Sequence, residues 1–165
     1  MNASPSGKER LPIRLRSTLI ARDSEGRFLL LRHVRPQGTF WVLPGGGVDF
    51  GETVEGALVR EVSEELGVEC EVDRLVAIGE LIQSRRHVVD LFFLGSLSST
   101  GPFRIRKEEG ISDAGWFDPS EFDRVLILPP EIFPVLRGLD EVGKTGIVYL
   151  GEYKSEGRKI ALDWV

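Results

Sequence analysis

The chain has 165 residues, of which 41% are apolar and 28% charged, with a formal net charge of −5 and a single cysteine, Cys70. That is enough apolar material for one packed core. It is too acidic for a protein that grips duplex nucleic acid through a basic stripe, and one cysteine excludes an intramolecular disulfide and a multi-cysteine zinc site.

Residues 1–10 contain no apolar stretch and predict a loose tail, not a secretion signal, ahead of a single domain over 11–165. No apolar run reaches the length of a membrane span, and a lone cysteine fits a cytoplasmic protein. Ile13 to Ala21 and Arg27 to Val34 are rich in β-branched and apolar residues. With Asp23-Ser24-Glu25-Gly26 between them they predict a hairpin. Phe40 to Leu43 predicts a short strand that runs into Pro44-Gly45-Gly46-Gly47, where three glycines permit positive φ and close approach of another group. A helix is expected from Thr53, a good N-cap, to Gly67, a good C′ residue. Val68 to Ile82 predicts one or two strands broken near Asp73, and His87 to Gly95 a central strand buried on both faces. Phe103–Arg106 and Ala114–Phe117 are shorter strand candidates. Pro119 starts a helix, and Pro130 to Leu139 predicts another, strained by Pro134. Gly146–Tyr153 and Lys159–Trp164 predict a terminal hairpin. The whole is an α/β sandwich with a mixed sheet.

The chemistry sits on the first helix. Leu58, Val62 and Leu66 recur at i, i+4 and i+8 and face a core. Glu61, Glu64 and Glu65 fall within an arc of roughly 100° along the edge of that stripe. Like charges at this spacing destabilise a helix by a few tenths of a kcal/mol per pair, and more where burial removes screening. A hard divalent cation with oxygen ligands reverses the sign. Arg60 supplies a local cation, and the glycine turn can supply a carbonyl ligand.

The stretch Gly46–Val68 resembles the signature of the Nudix hydrolases, G-x5-E-x7-R-E-U-x-E-E-x-G-U with U aliphatic. Every fixed position is matched, by Gly46, Glu52, Arg60, Glu61, Val62, Glu64, Glu65, Gly67 and Val68. At average residue usage, chance agreement at a given start is on the order of one in a billion. The resemblance implies a Nudix-type α/β/α sandwich and cleavage of a nucleoside diphosphate derivative by water attack on phosphorus, with Mg2+ or Mn2+. It implies Glu61, Glu64, Glu65 and the Gly45 carbonyl as metal ligands, with Glu61 or a neighbour as base. Glu52 and Arg60 would be the pair that orients the carboxylates.

Family members often add a glutamate from a loop across the pocket; Glu108 and Glu109 are placed for this, and Glu109 is favoured as ligand or base. Arg32, Arg35, Arg86 and His87 are candidates for phosphate or ribose oxygens, with Gly46 at the phosphate-facing turn. Arg14 and Arg16 alternate on the first strand, toward a pocket or toward solvent. No substrate-specific motif of the family is present, although Arg35 to Trp41 is similar to members acting on nucleotide sugars. Nucleoside triphosphates, ADP-ribose and nucleotide sugars therefore stand together as expected substrates. The competing class is a nucleotide-binding sensor of the same fold; such proteins usually lose box glutamates, and this chain keeps them all. The 146–165 hairpin is a candidate homodimer contact.

Overall fold

The computed structural model describes residues 11–36, 38–106, 110–141 and 146–153. Nine strands form two sheets among these residues. They are β1 (Ile13–Ala21), β2 (Phe28–Arg35), β3 (Gly38–Val42), β4 (Gly45–Gly47), β5 (Cys70–Gln83), β6 (Arg86–Leu97), β7 (Ile111–Phe117), β8 (Ile127–Leu128) and β9 (Val148–Glu152). The first sheet has the order β4-β1-β6-β5-β9, the second β7-β2-β3-β8. Both are mixed: β1 runs parallel to β6, β9 to β5 and β8 to β3, and the other pairs are antiparallel.

The expected 13–34 hairpin does not form. β1 and β2 lie in different sheets and share only an isolated bridge, Arg22 to Phe28. Burial gives the reason. Arg16–Ala21 and Phe28–Leu31 are buried at every position, so each strand needs cover on both faces and neighbours on both edges. The turn between them is as expected, with Gly26 at φ 86° and the Asp23 carboxylate accepting from the Glu25 and Arg27 N–H groups. It makes a corner from one sheet to the other.

β5 and β6 form the long hairpin of the molecule, joined by Ser84 and Arg85. The break expected near Asp73 is a bulge between Val72 and Arg74 inside one continuous strand. The helix α1 (Val54–Leu66) has the expected ends. Thr53 Oγ1 accepts from the Gly56 N–H at 3.0 Å, and Gly67, at φ 67°, donates to the Ser63 carbonyl. Ala57, Leu58, Val62 and Leu66 are buried as it packs on β1, β4 and β5.

Phe103–Arg106 is not a strand. It runs along the end of α1, where the Arg104 and Arg106 N–H groups donate to the Leu66 and Glu65 carbonyls. These are acceptors that a helix C-terminus leaves open. Pro119–Arg124 is a 3-10 turn with an Asp118 capping box, and Pro130–Ile132 is another that leads into α2 (Phe133–Arg137). Pro134 lies in the first turn of α2, where a missing N–H is harmless, so the expected strain is absent. Phe122 packs on Phe28 and on Phe133, with ring centroids 5.9 and 5.5 Å apart. These short helices thereby cover the second sheet. The 146–153 arm adds β9 to the edge of β5; its expected partner, Lys159–Trp164, lies outside the described residues.

Phe92 is fully buried on the central strand β6. Phe92→Ala is expected to lower unfolding free energy by about 3–5 kcal/mol, read from urea denaturation midpoints at unchanged slope.

Candidate functional site

The site begins where β4 meets α1. Gly45, Gly46 and Gly47 pair with Thr18, Ser17 and Arg16 of β1. Gly45 has φ 136°, and a Cβ there would overlap the Ser17 carbonyl. A Cβ on Gly46 would overlap the Glu61 carboxylate. Gly46 is therefore the space through which a helix carboxylate reaches the strand, and Gly45 lets β4 lie close against β1. The Gly45 N–H donates to Glu65 Oε2 at 2.9 Å, tying the turn to the buried end of the acidic edge.

Arg60 ties the exposed end. Its Nε and Nη2 donate to the two oxygens of Glu52, each at 3.0 Å, in a fork-to-fork pair. Nη1 donates to Glu61 Oε1 at 2.8 Å, and Nη2 also reaches the Gly47 carbonyl at 3.0 Å. The hydrogen bond to Glu52, then that to Glu61, raises the guanidinium's affinity for its proton. The same bond holds Glu52 below the usual carboxylate range. Glu64 lies 3.8 Å from Arg60 and 3.4 Å from Arg106.

The three box glutamates thus share one helix edge but differ in their partners: Arg60 for Glu61, Arg106 with Arg60 further off for Glu64, and the turn N–H for Glu65. As they stand, no three acidic, histidine or cysteine side chains among the described residues converge on one point. The donor set still suits a hard divalent cation, because carboxylates and the Gly45 carbonyl offer only oxygen. The Cβ-free cradle at Gly46 keeps Glu61 against the turn. Glu61, Glu64, Glu65 and the Gly45 carbonyl are the groups that could hold such an ion.

The other expected residues are dispersed. Arg35 packs against Gly110, whose carbonyl accepts from the Val34 N–H. Arg106 and Gly110 thus bracket 107–109, and Glu108 and Glu109 lie outside the described residues. Arg32 opposes Trp41 across β2 and β3, while the adjacent His33 opposes Phe40. His87 accepts or donates at 2.7 Å with Glu80, whose other oxygen takes the Tyr149 hydroxyl at 2.6 Å. It opposes Ile13, four residues along β1 from the Ser17–Gly46 pair, about 13 Å away. Arg86 lies one residue further.

Two buried polar groups escaped the sequence reading. Asp90 sits 1% exposed in the apolar strand β6, and accepts from Thr18 at 2.6 Å and from Tyr153 at 3.4 Å. Burial pushes its pKa up, against the pull of Arg16. The available signal was a carboxylate in the middle of Val88–Phe93: at that depth it requires a partner. His33 stacks on Phe40 at 5.4 Å, and its Nδ1 is buried with no hydrogen-bond partner.

The NUDIX domain model matches residues 12–139. The chain belongs to the NUDIX family. Among curated proteins, it is 44% identical over 54 residues to diphosphoinositol polyphosphate phosphohydrolase 3-alpha of Mus musculus, covering 33% of this chain and 33% of that protein. It is 32% identical over 87 residues to 8-oxo-dGDP phosphatase NUDT18 of Homo sapiens, covering 48% of this chain and 27% of that one. The chain thus spans about a third or less of the length of these relatives. Among solved structures, a MutT NUDIX hydrolase from Burkholderia pseudomallei is 29% identical with a TM-score of 0.63, covering 76% of this chain and 97% of that one. The two mixed sheets with α1 and the short helices are the NUDIX α/β arrangement.

Burial, then the Arg35 and Arg16 charges, lowers the His33 pKa from the ordinary 6.5 of a histidine to about 4. The unfolded chain therefore binds the extra proton first. Stability from a neutral His33 is full above pH 6.5 and is lost as pH falls toward the folded value. His33→Phe is expected to remove on the order of 3 kcal/mol of that pH dependence, measured as unfolding free energy at steps from about pH 7 to about pH 4.

Proposed function

We propose that the chain is a metal-dependent hydrolase that cleaves the diphosphate linkage of a nucleoside diphosphate derivative by water attack on phosphorus. Its substrates would be a nucleoside triphosphate, ADP-ribose or a nucleotide sugar. The observation that carries the reading is Arg60, whose guanidinium links Glu52 to Glu61 beside the Gly46 cradle. A structural helix has no use for a strand carved to the shape of one carboxylate. The names of the two curated relatives support the diphosphate part, since a diphosphoinositol polyphosphate and 8-oxo-dGDP have a diphosphate in common.

In this reading Glu61, Glu64, Glu65 and the Gly45 carbonyl hold Mg2+, or Mn2+ in its place. The ion supplies charge neutralisation on the diphosphate and acidification of water. The remaining work falls to the chain. Arg60 and Glu52 fix the Glu61 rotamer, so that its carboxylate meets the reacting centre without reorganising. The Gly45 N–H fixes Glu65 at the buried end. Glu61, a neighbouring box glutamate or Glu109 takes the proton of the attacking water. Arg35, which packs against Gly110, and Arg32, Arg86 and His87 are the outlying candidates to meet an anionic substrate.

The test is a phosphate-release screen with Mg2+ over nucleoside triphosphates, ADP-ribose, nucleotide sugars, dinucleoside polyphosphates and a diphosphoinositol polyphosphate. Metal-dependent turnover is expected on at least one. Glu64→Gln and Glu65→Gln are each expected to lower kcat by about 100-fold or more, with fold retained by circular dichroism. Tight nucleotide binding with no turnover on any substrate would favour the sensor reading. Full turnover in Glu109→Gln would remove that residue from the site.

A further inference from the structure

The inner face of the first sheet carries charges that the box does not use. Arg16 of β1 and Asp90 of β6 are register partners, with Thr18 two residues along. All three are buried, at 8%, 1% and 3% exposed. Thr18 donates to Asp90 Oδ1, and Arg16 Nε donates to Thr18 Oγ1 at 3.3 Å while lying 4.0 Å from Asp90 Oδ2. Tyr153 covers the second Asp90 oxygen. Stability does not account for this cluster, because apolar residues of similar volume usually serve a core as well or better. What it does is aim a guanidinium. Arg16 Nη2 donates to the Gly45 carbonyl at 2.7 Å, in a buried position. That carbonyl belongs to the residue whose N–H holds Glu65.

We infer that Arg16 is a resident cation of the candidate metal centre: it competes with a divalent ion for the Gly45 carbonyl and so sets the centre's metal affinity. The inference rests on the metal-dependent reading above. A guanidinium and a divalent ion on one carbonyl oxygen repel each other at short range, in surroundings where water screens poorly. Metal binding therefore requires the bond from Nη2 to Gly45 to lengthen or break. The bond from Nε to Thr18 and the attraction of the nearby Asp90 carboxylate hold the guanidinium at its neighbouring nitrogen and keep it from leaving. Asp90 offsets part of its charge. Arg16 and Asp90 must then act on metal affinity with opposite signs, whereas residues that merely support the turn would act with the same sign.

The experiment is a titration of the protein with Mn2+ in the absence of nucleotide, the free ion being counted by electron paramagnetic resonance. Arg16→Met is expected to tighten Mn2+ binding by at least about five-fold, and Arg16→Lys to fall between it and the unaltered chain. Asp90→Asn, which leaves the guanidinium without its counter-charge, is expected to weaken binding by a similar factor. Because Arg16→Met leaves a buried carboxylate unpaired, the double variant Arg16→Met/Asp90→Asn is measured beside it. It removes both charges, frees the carbonyl, and is also expected to bind Mn2+ more tightly than the unaltered chain. Binding that is unchanged or weaker in both Arg16→Met and the double variant overturns the inference. Glu64→Gln separates the two readings. If it weakens Mn2+ binding while the Arg16 variants do not tighten it, this inference alone fails. If Mn2+ binding is absent, or indifferent to Glu64→Gln, the metal-centre reading fails and this inference with it.

Discussion

The approach of α1 to β4 is the contact on which the site depends. A helix normally keeps its distance from a strand because side chains stand between them. Here Gly46 removes the strand's side chain at the point of contact and the Glu61 carboxylate occupies the space, while Gly45 lets β4 close on β1 and its N–H meets Glu65. Bringing anions to a backbone is favourable only where N–H groups or cations meet them. The Gly45 N–H and the Arg60 guanidinium do so. The packing of Leu58, Val62 and Leu66 then fixes the helix rotation that keeps the acidic edge on the turn. The segment at 104–106 closes the far end by using the helix's last carbonyls and setting Arg106 on Glu64.

Much of this was legible because it is local. Glu61, Glu64 and Glu65 share a helix edge by spacing alone, and Thr53 and Gly67 mark the helix ends by residue type. Arg60 and Glu52 are close in sequence and meet in a fork-to-fork pair. The Asp90–Arg16 pair is different. It depends on β1 lying parallel to β6, a pairing between distant segments that no short-range pattern encodes. The same holds for β1 and β2. Their turn was read correctly, but a turn does not reveal whether it joins partners in one sheet or corners between two. Strands apolar on both faces fit either case.

Residues outside the box divide by what surrounds them. His87 read as a substrate contact because a histidine at a strand start is exposed and polar. In the fold its ring nitrogen is committed to Glu80, and Tyr149 holds that carboxylate from the other side. His33, which carries no motif, is the histidine that lies deep and close enough to Arg16 and Arg35 to feel their charge. Depth, not residue type, separates the two, and depth follows from strand pairing.

The position of β9 has a consequence for synthesis. It is the last described strand along the chain, and its pairing with β5 brings Tyr153 over Asp90. While the ribosome is still adding the segment that precedes it, both sheets can assemble from β1 to β8, but Asp90 remains without its phenolic cover. The turn and α1 are complete in sequence much earlier. Arg16, Thr18, Asp90, the glycine turn and α1 all precede Tyr153 along the chain, so the phenolic cover on Asp90 is the last part of this polar cluster to be added.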